Sequence, residues 1–297
     1  MTITAYPNGV SSFGSPIYGD GSAWDNSGTK YFVDNNSGND GNLGDSWDYP
    51  LKTLARAVTL SNADIARGSD RWARRNTIFY CADTETADLV AFPNKCDVIG
   101  CGSYDANTMP GITGNHVPVN AGNYGTRFIN VRFMGPADAS PIVTLASSSS
   151  GIQFVNCVFH GTATTTIGIQ ATASPFMRVV GCRFEGAFVT SYITLGAGEA
   201  GATEIIGNRM VDAAAAGIII NASTTTSWAG IIQGNLIHAA TFCIDDNSDL
   251  FILARNDMIS LADDYATGLD INSALAVGCE YTAPNVAGPY PILDTTT

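Results

Sequence analysis

The stretch "QFVNCVFHGT", Gln153 to Thr162, sets two short apolar segments on either side of Asn156 and Cys157 and closes on a Gly-Thr turn. The chain repeats this phrase with small changes: FINVRFMGP at 128–136, VVGCRFEGA at 179–187 and IIGNRMVDA at 205–213. Aligned on the residue after each apolar pair, Asn130, Asn156, Gly181, Gly207, Gly234 and Arg255 are spaced by 26, 25, 26, 27 and 21 residues. A second motif fills the gaps, in IVTLAS, IGIQAT, YITLGA, IIINAS, CIDDNS and LDINSA. Its fifth position falls at Ala146, Ala171, Gly196, Ala222, Asn247 and Ser273, again about one period apart. Two columns keeping one period near 25 residues mark a repeat architecture.

Segments rich in β-branched and aromatic residues, separated by Gly, Asn, Ser and Thr, are strands joined by tight turns. A leucine-rich repeat shares this period, but these units lack its leucine framework and have no helix-forming run on the return path. Propeller blades need longer repeats, roughly 40–50 residues each. The pattern predicts a parallel β-helix, in which rungs lie about 4.8 Å apart and residues one period apart are stacked neighbours. Phe133, Phe159, Phe184, Met210, Ile237 and Met258 then form one inward column, and Phe128, Phe154, Val179, Ile205, Ile232 and Leu253 a second. Arg132, Val158, Arg183, Arg209, Leu236 and Asp257 alternate outward, as the period of two in a strand requires.

Asn208, Asn235 and Asn256 share a column with Val131, Cys157 and Cys182. Asparagine stacked at a turn can hydrogen-bond along the axis and tolerates left-handed backbone, which makes this column structural. The seven cysteines (81, 96, 101, 157, 182, 243 and 279) have no CxxC pair and no zinc-type spacing. They are expected to be buried free thiols, with Cys157 and Cys182 a ladder and not a disulfide. No metal and no cofactor are expected.

Fourteen Lys and Arg against 27 Asp and Glu give a net charge of −13, which opposes contact with phosphate backbones. Nucleic acid is not an expected partner. Nothing approaches 18 consecutive apolar residues, and MTITAYPNGVSSFG lacks the basic and apolar regions of a signal peptide, so neither a membrane span nor secretion is expected.

Four regions follow. Residues 1–29 match no rung and carry isolated anchors, Tyr6, Pro7, Phe13, Ile17, Tyr18 and Trp24, in a Gly/Ser/Pro background. They are expected to form an extended docking arm laid across another protein. Residues 30–67 supply a strand, a Gly/Asn/Asp loop and, within 49–66, an amphipathic helix capping the raw end of the coil. Pro50 suits its first turn, and Leu51, Leu54, Ala55 and Val58 follow helical spacing. The rungs occupy 68–280. The tail, 281–297, carries Pro284, Pro289 and Pro291, which should blunt the last edge.

The combination of YFVDNNSGNDGN (31–42), PLKTLARAV (50–58) and Asn-rich rungs resembles the pectate-lyase-like family of right-handed parallel β-helices, over about residues 30–280. The resemblance implies an all-β, right-handed, single-stranded coil with an N-terminal capping helix. The same opening heads many bacteriophage tailspike and virion proteins, whose activities differ. Lyases of this fold hold calcium on outer-face carboxylates, and related glycosidases use two or three aspartates with a nearby histidine. The best match here is CIDDNSD, giving Asp245, Asp246 and Asp249, with Asp270 and Asn272 one rung below. Asp246 also fits a solvated polar column, Gln170, Leu195, Asn221, Asp246 and Asn272. His160-Gly161 lies more than three rungs away, about 15 Å, too far to join an aspartate pair. The acidic residues at Asp138, Glu185, Glu199, Glu204 and Asp212 share no column. The expectation is a non-enzymatic virion structural protein, a capsid decoration, cement or head-spike protein. By analogy with other virion coils it is a homotrimer, docked on the major capsid protein. The alternative is a tailspike-type depolymerase or adhesin for host surface glycan.

Overall fold

The computed structural model describes backbone and side chains for residues 28–67, 74–102, 108–119, 124–145, 149–172, 174–196, 202–212, 214–221, 230–245 and 251–259. For 10–12, 15–18, 123, 246, 260, 269–271, 275–277, 280–282 and 290–291 it gives strand placement alone.

The chain is all-β with parallel sheets. Two sheets of ten strands and one of six run side by side, and the six repeats from Arg127 to Ile271 cross all three in the same order. Within one repeat, Gln153–Val155 lies in the first sheet, Val158–Gly161 in the second and Ile167–Ala171 in the third. The next repeat places Arg178–Val180, Arg183–Gly186 and Phe188–Leu195 beside them.

The corner between the first two sheets explains the first sequence column. Asn130, Asn156, Gly181, Gly207, Gly234 and Arg255 all adopt positive φ, between 51° and 64°. Only two residues are available to redirect the chain there, and the left-handed region makes the bend. Gly181 has a further reason to be glycine: a Cβ would stand 2.5 Å from the Asn156 side-chain oxygen of the level above.

Both inward columns pair level by level as the period requires. Phe133 faces Phe159, which faces Phe184, and the register continues through Met210 and Ile237 to Met258. Phe128, Phe154, Val179, Ile205, Ile232 and Leu253 form the second stack, and every member of both is buried. In the outward column one residue departs from expectation. Val158 is fully buried between its register neighbours Arg132 and Arg183, whose aliphatic stems can cover it.

The asparagine column is a continuous buried ladder. Asn208, Asn235 and Asn256 donate to the carbonyls of Val179, Ile205 and Ile232 at 2.8–2.9 Å. The Asn235 and Asn256 side-chain oxygens each accept the backbone N–H of the preceding asparagine in the column. Higher up, thiols take over: Cys157 donates to Phe128 O at 3.3 Å and Cys182 to Phe154 O at 3.4 Å. Both cysteines are free, and burial first, then contact with Cys157, pushes the Cys182 thiol well up. The left-handed residue is the one before each ladder position, a correction to the sequence expectation. Cys101, exposed just past the strand Cys96–Gly100, and the half-buried Cys81 are a second correction, and Cys279 lies outside the described residues.

The capping helix spans Leu54–Ile65 and begins later than its apolar spacing suggests. Thr53 is the N-cap, its hydroxyl accepting from Arg56 N at 3.2 Å, and Asp40 fixes Thr53 by accepting from its N–H and hydroxyl. Pro50 therefore precedes the helix, and Leu51 bridges Val33 as an added edge residue. Ala57 is buried where Ala55 was expected. The buried Glu85 carboxylate receives Leu54 N at the helix start and the Tyr80 hydroxyl. At the other end Glu280–Thr282 pairs antiparallel with Tyr290–Pro291, which ends the parallel register with a proline on the last strand.

His116 starts the third sheet by pairing with Val143, and it is fully buried. Its Nδ1 accepts Leu89 N at 3.1 Å, so the ring is held neutral, and burial lowers its pKa to about 4 against a partial counter-effect of Asp88. A histidine that resists protonation when folded stabilises the fold above its unfolded pKa and loses that contribution as pH falls toward the folded value. Stability should therefore drop between pH 6.5 and about 4 by about 3 kcal/mol through this group. His116→Gln, which can still accept Leu89 N but cannot titrate, is expected to flatten urea-midpoint measurements across that window. An unchanged pH slope in the variant would assign the acid loss elsewhere.

Candidate functional site

Three of the predicted aspartates fall in two register columns of the third sheet. Asp245 lies in the strand Ile244–Asp246 of the third sheet, between Ile219 and Asp270 in register, so Asp245 and Asp270 are adjacent. Asp246 pairs with Ile220 and Ile271, continuing a column of Leu145, Ala171, Leu195 and Ile220, all buried. It does not belong to the expected polar ladder, because the true register sets Asp246 beside Ile220 and Ile271, one place off Asn221 and Asn272. Asp249 lies outside the described residues, as do Tyr6, Pro7, Phe13 and Trp24. Ile17 and Tyr18 sit on Ser15–Tyr18, which pairs antiparallel with Val10–Ser12. That part of the arm is a hairpin and not a single extended run.

A different group of residues shares one groove along the second sheet and its corner toward the third. His160 is exposed and stacks in register on Glu185, which forms an ion pair with Arg183. Arg209 lies one level below Arg183. Asp212 follows the short strand Arg209–Met210, and its carboxylate accepts Gly186 N at 2.6 Å. Gly186 has φ 77°, and a Cβ there would run into Gly161 O, so only glycine lets the two levels approach this closely. These side chains border a pocket of about 360 Å³.

Val211 and Asp212 also belong to a neighbouring trough of about 600 Å³, floored by alanines such as Ala163, Ala187, Ala215 and Ala240. Beside Asp212 it holds His238, whose Nδ1 lies 3.2 Å from Val211 O and therefore carries the proton, leaving a buried Nε2 with no partner. Beneath both pockets the buried Tyr192 hydroxyl donates to the carbonyls of Asp212 and, at 2.9 Å, His238. Burial first, then the Asp212 charge, raises its pKa, so it stays a neutral brace between three levels.

Chemically, the two carboxylates are already engaged, Glu185 by Arg183 and Asp212 by a backbone N–H. The groove can offer charge-assisted hydrogen bonds to a polar ligand more readily than a free acid and base. Sequence columns missed it because Asp212 lies in a turn, outside any strand register. The steps of 25 from His160 to Glu185 and 26 from Arg183 to Arg209 were the available signal.

Among the described residues no group of three His, Cys, Asp or Glu could hold a metal ion, and no helix is long and apolar enough to cross a membrane. No protein-family model and no curated protein sequence matches the chain.

Proposed function

We propose that the chain is a right-handed parallel β-helix of the pectate-lyase-like kind and a non-enzymatic structural protein of a bacteriophage virion. In this reading it is a capsid decoration, cement or head-spike protein, a homotrimer docked through residues 1–29 on the major capsid protein. One observation carries it: ten strands of the first sheet, from Lys30–Asp34 to Leu275–Val277, stack in sequence order. At about 4.8 Å per step this is a rod roughly 43 Å long. Its N-terminal end is closed by a helix. Such a rod resists deformation and offers length and surface, which suits a particle exterior. Dissociated virions give the test. The protein is expected to stay with heads, and a chain lacking residues 2–29 is expected to stay soluble but unattached. Recovery with tails would overturn the head assignment, and attachment without the arm would overturn the docking role.

A tailspike-type depolymerase or glycan-binding adhesin is the second reading, favoured by the groove of His160, Glu185 and Asp212. It requires release of reducing or unsaturated ends from purified host polysaccharide, lost in Glu185→Gln and Asp212→Asn. Saturable binding without release would favour the adhesin.

A further inference from the structure

The first sheet is apolar on its inner face and along one column of its outer face. Its inward residues, such as Phe128, Phe154 and Val179, fill the core. The neighbouring outward position is apolar at seven successive levels, running in register from Phe32 and Phe79 through Ile99, Ile129, Val155 and Val180 to Ile206. All seven are half-buried, each covered only in part by its neighbours. The third sheet shows what a solvated outer column looks like on this scaffold: Thr144, Gln170 and Thr194 hold the equivalent place. A sheet facing water on one side alternates apolar and polar, whereas strands covered on both sides read as continuous apolar runs. The stripe is about 29 Å long, six steps of about 4.8 Å.

Charge selects the occupant. The column beside the stripe carries Asp97, paired with Arg127 in the column and with Arg75 at its border, and Arg178 on Glu204. Those charges are paired within the chain and slightly cationic in sum, on a molecule of net charge −13. Two copies repel over most of their surface, but not here. With little net charge on its rim this face escapes that repulsion, and its 4.8 Å pitch is matched by the same ladder on another copy. We propose that this stripe is the self-association face, buried against a second copy of the chain. The inference deepens the homotrimer reading above and rests on it for the number of copies.

Sedimentation equilibrium of the full chain tests it. The wild type is expected to self-associate, and Ile129→Glu with Val180→Glu is expected to weaken association on the order of 100-fold. The strand spectrum should remain intact, because both positions face outward. Ile129→Thr with Val180→Thr, which keeps β-branching, should weaken it less. Thr144→Glu with Thr194→Glu, the same charge on the third sheet, should leave it unchanged. A wild type that is monomeric at about 100 μM, or a stripe variant as associated as the wild type, would overturn the proposal. Either result is separable from the virion assignment, which is read from attachment to heads and could hold for a monomer.

Discussion

Phe159→Ala is expected to cost about 4–5 kcal/mol, near the top of the range for removing a buried phenylalanine. The ring is fully buried, stacked on Phe133 at 5.3 Å and on Phe184 at 4.8 Å, with Phe154 edge-on at 5.3 Å. The size of the loss depends on whether the surroundings can close over the space. Here they cannot, because the levels above and below are held apart by parallel hydrogen bonds on both sides. A helix pair could slide together; a strand ladder at fixed pitch keeps the cavity. Phe159→Leu retains most of the volume and should cost about 1–2 kcal/mol. Urea unfolding followed by far-ultraviolet circular dichroism measures both. A loss below about 2 kcal/mol for the alanine variant would mean that the levels collapse onto one another, and the stacked-column account would fail.

The same rigidity explains what the sequence reveals and what it hides. The corner between the first two sheets has two residues and needs a positive φ, so the sequence returns there to Asn or Gly in five of six turns. That is why Asn130, Asn156 and Gly181 align by eye, and why the phenylalanines beside them fall in true register. The third sheet has no such pin. Its strands differ in length, from Val143–Leu145 to Phe188–Leu195, and the latter shifts register between Phe188 and Ser191. Loops of unequal length absorb the difference, so motif spacing there slips by one place. A slip of one turns a strand residue to the opposite face. It moved Asp246 from an apolar column to an imagined polar one, the column that had supplied its non-catalytic reading.

The groove was hidden for a related reason. Asp212 acts through a turn whose conformation depends on Gly186 one level above, and no column in the sequence joins them. The outward stripe, by contrast, was in plain view as the second member of each apolar pair: Ile129, Val155, Val180 and Ile206. One residue of each pair fills the core. The other lies half-buried on the outer face, and only the paired register shows that these residues form one continuous line.

Asn235→Ala should cost about 3–5 kcal/mol, although it deletes less volume than most core truncations. The side chain is buried and mediates four contacts: it donates to Ile205 O and to the Asn256 side-chain oxygen, and it accepts from Asn208 N and the Asn208 amide, all at 2.9 Å. Alanine leaves a backbone donor and a backbone acceptor buried without partners, at about 1–3 kcal/mol each. The column itself supplies the control. Cys157 and Cys182 hold the equivalent places higher up and satisfy the matching carbonyl through a thiol. Asn235→Cys should therefore keep the bond to Ile205 O in weakened form, lose the strong acceptor for Asn208 N, and fall between wild type and alanine. Asn235→Asp keeps the acceptor but loses the donor and buries a charge, so its deficit should shrink as pH falls and the carboxyl becomes protonated. Urea midpoints at pH 5 and pH 8 separate these cases. If alanine and cysteine were equally destabilising, the thiols above would be fillers of space and not rungs of the same ladder.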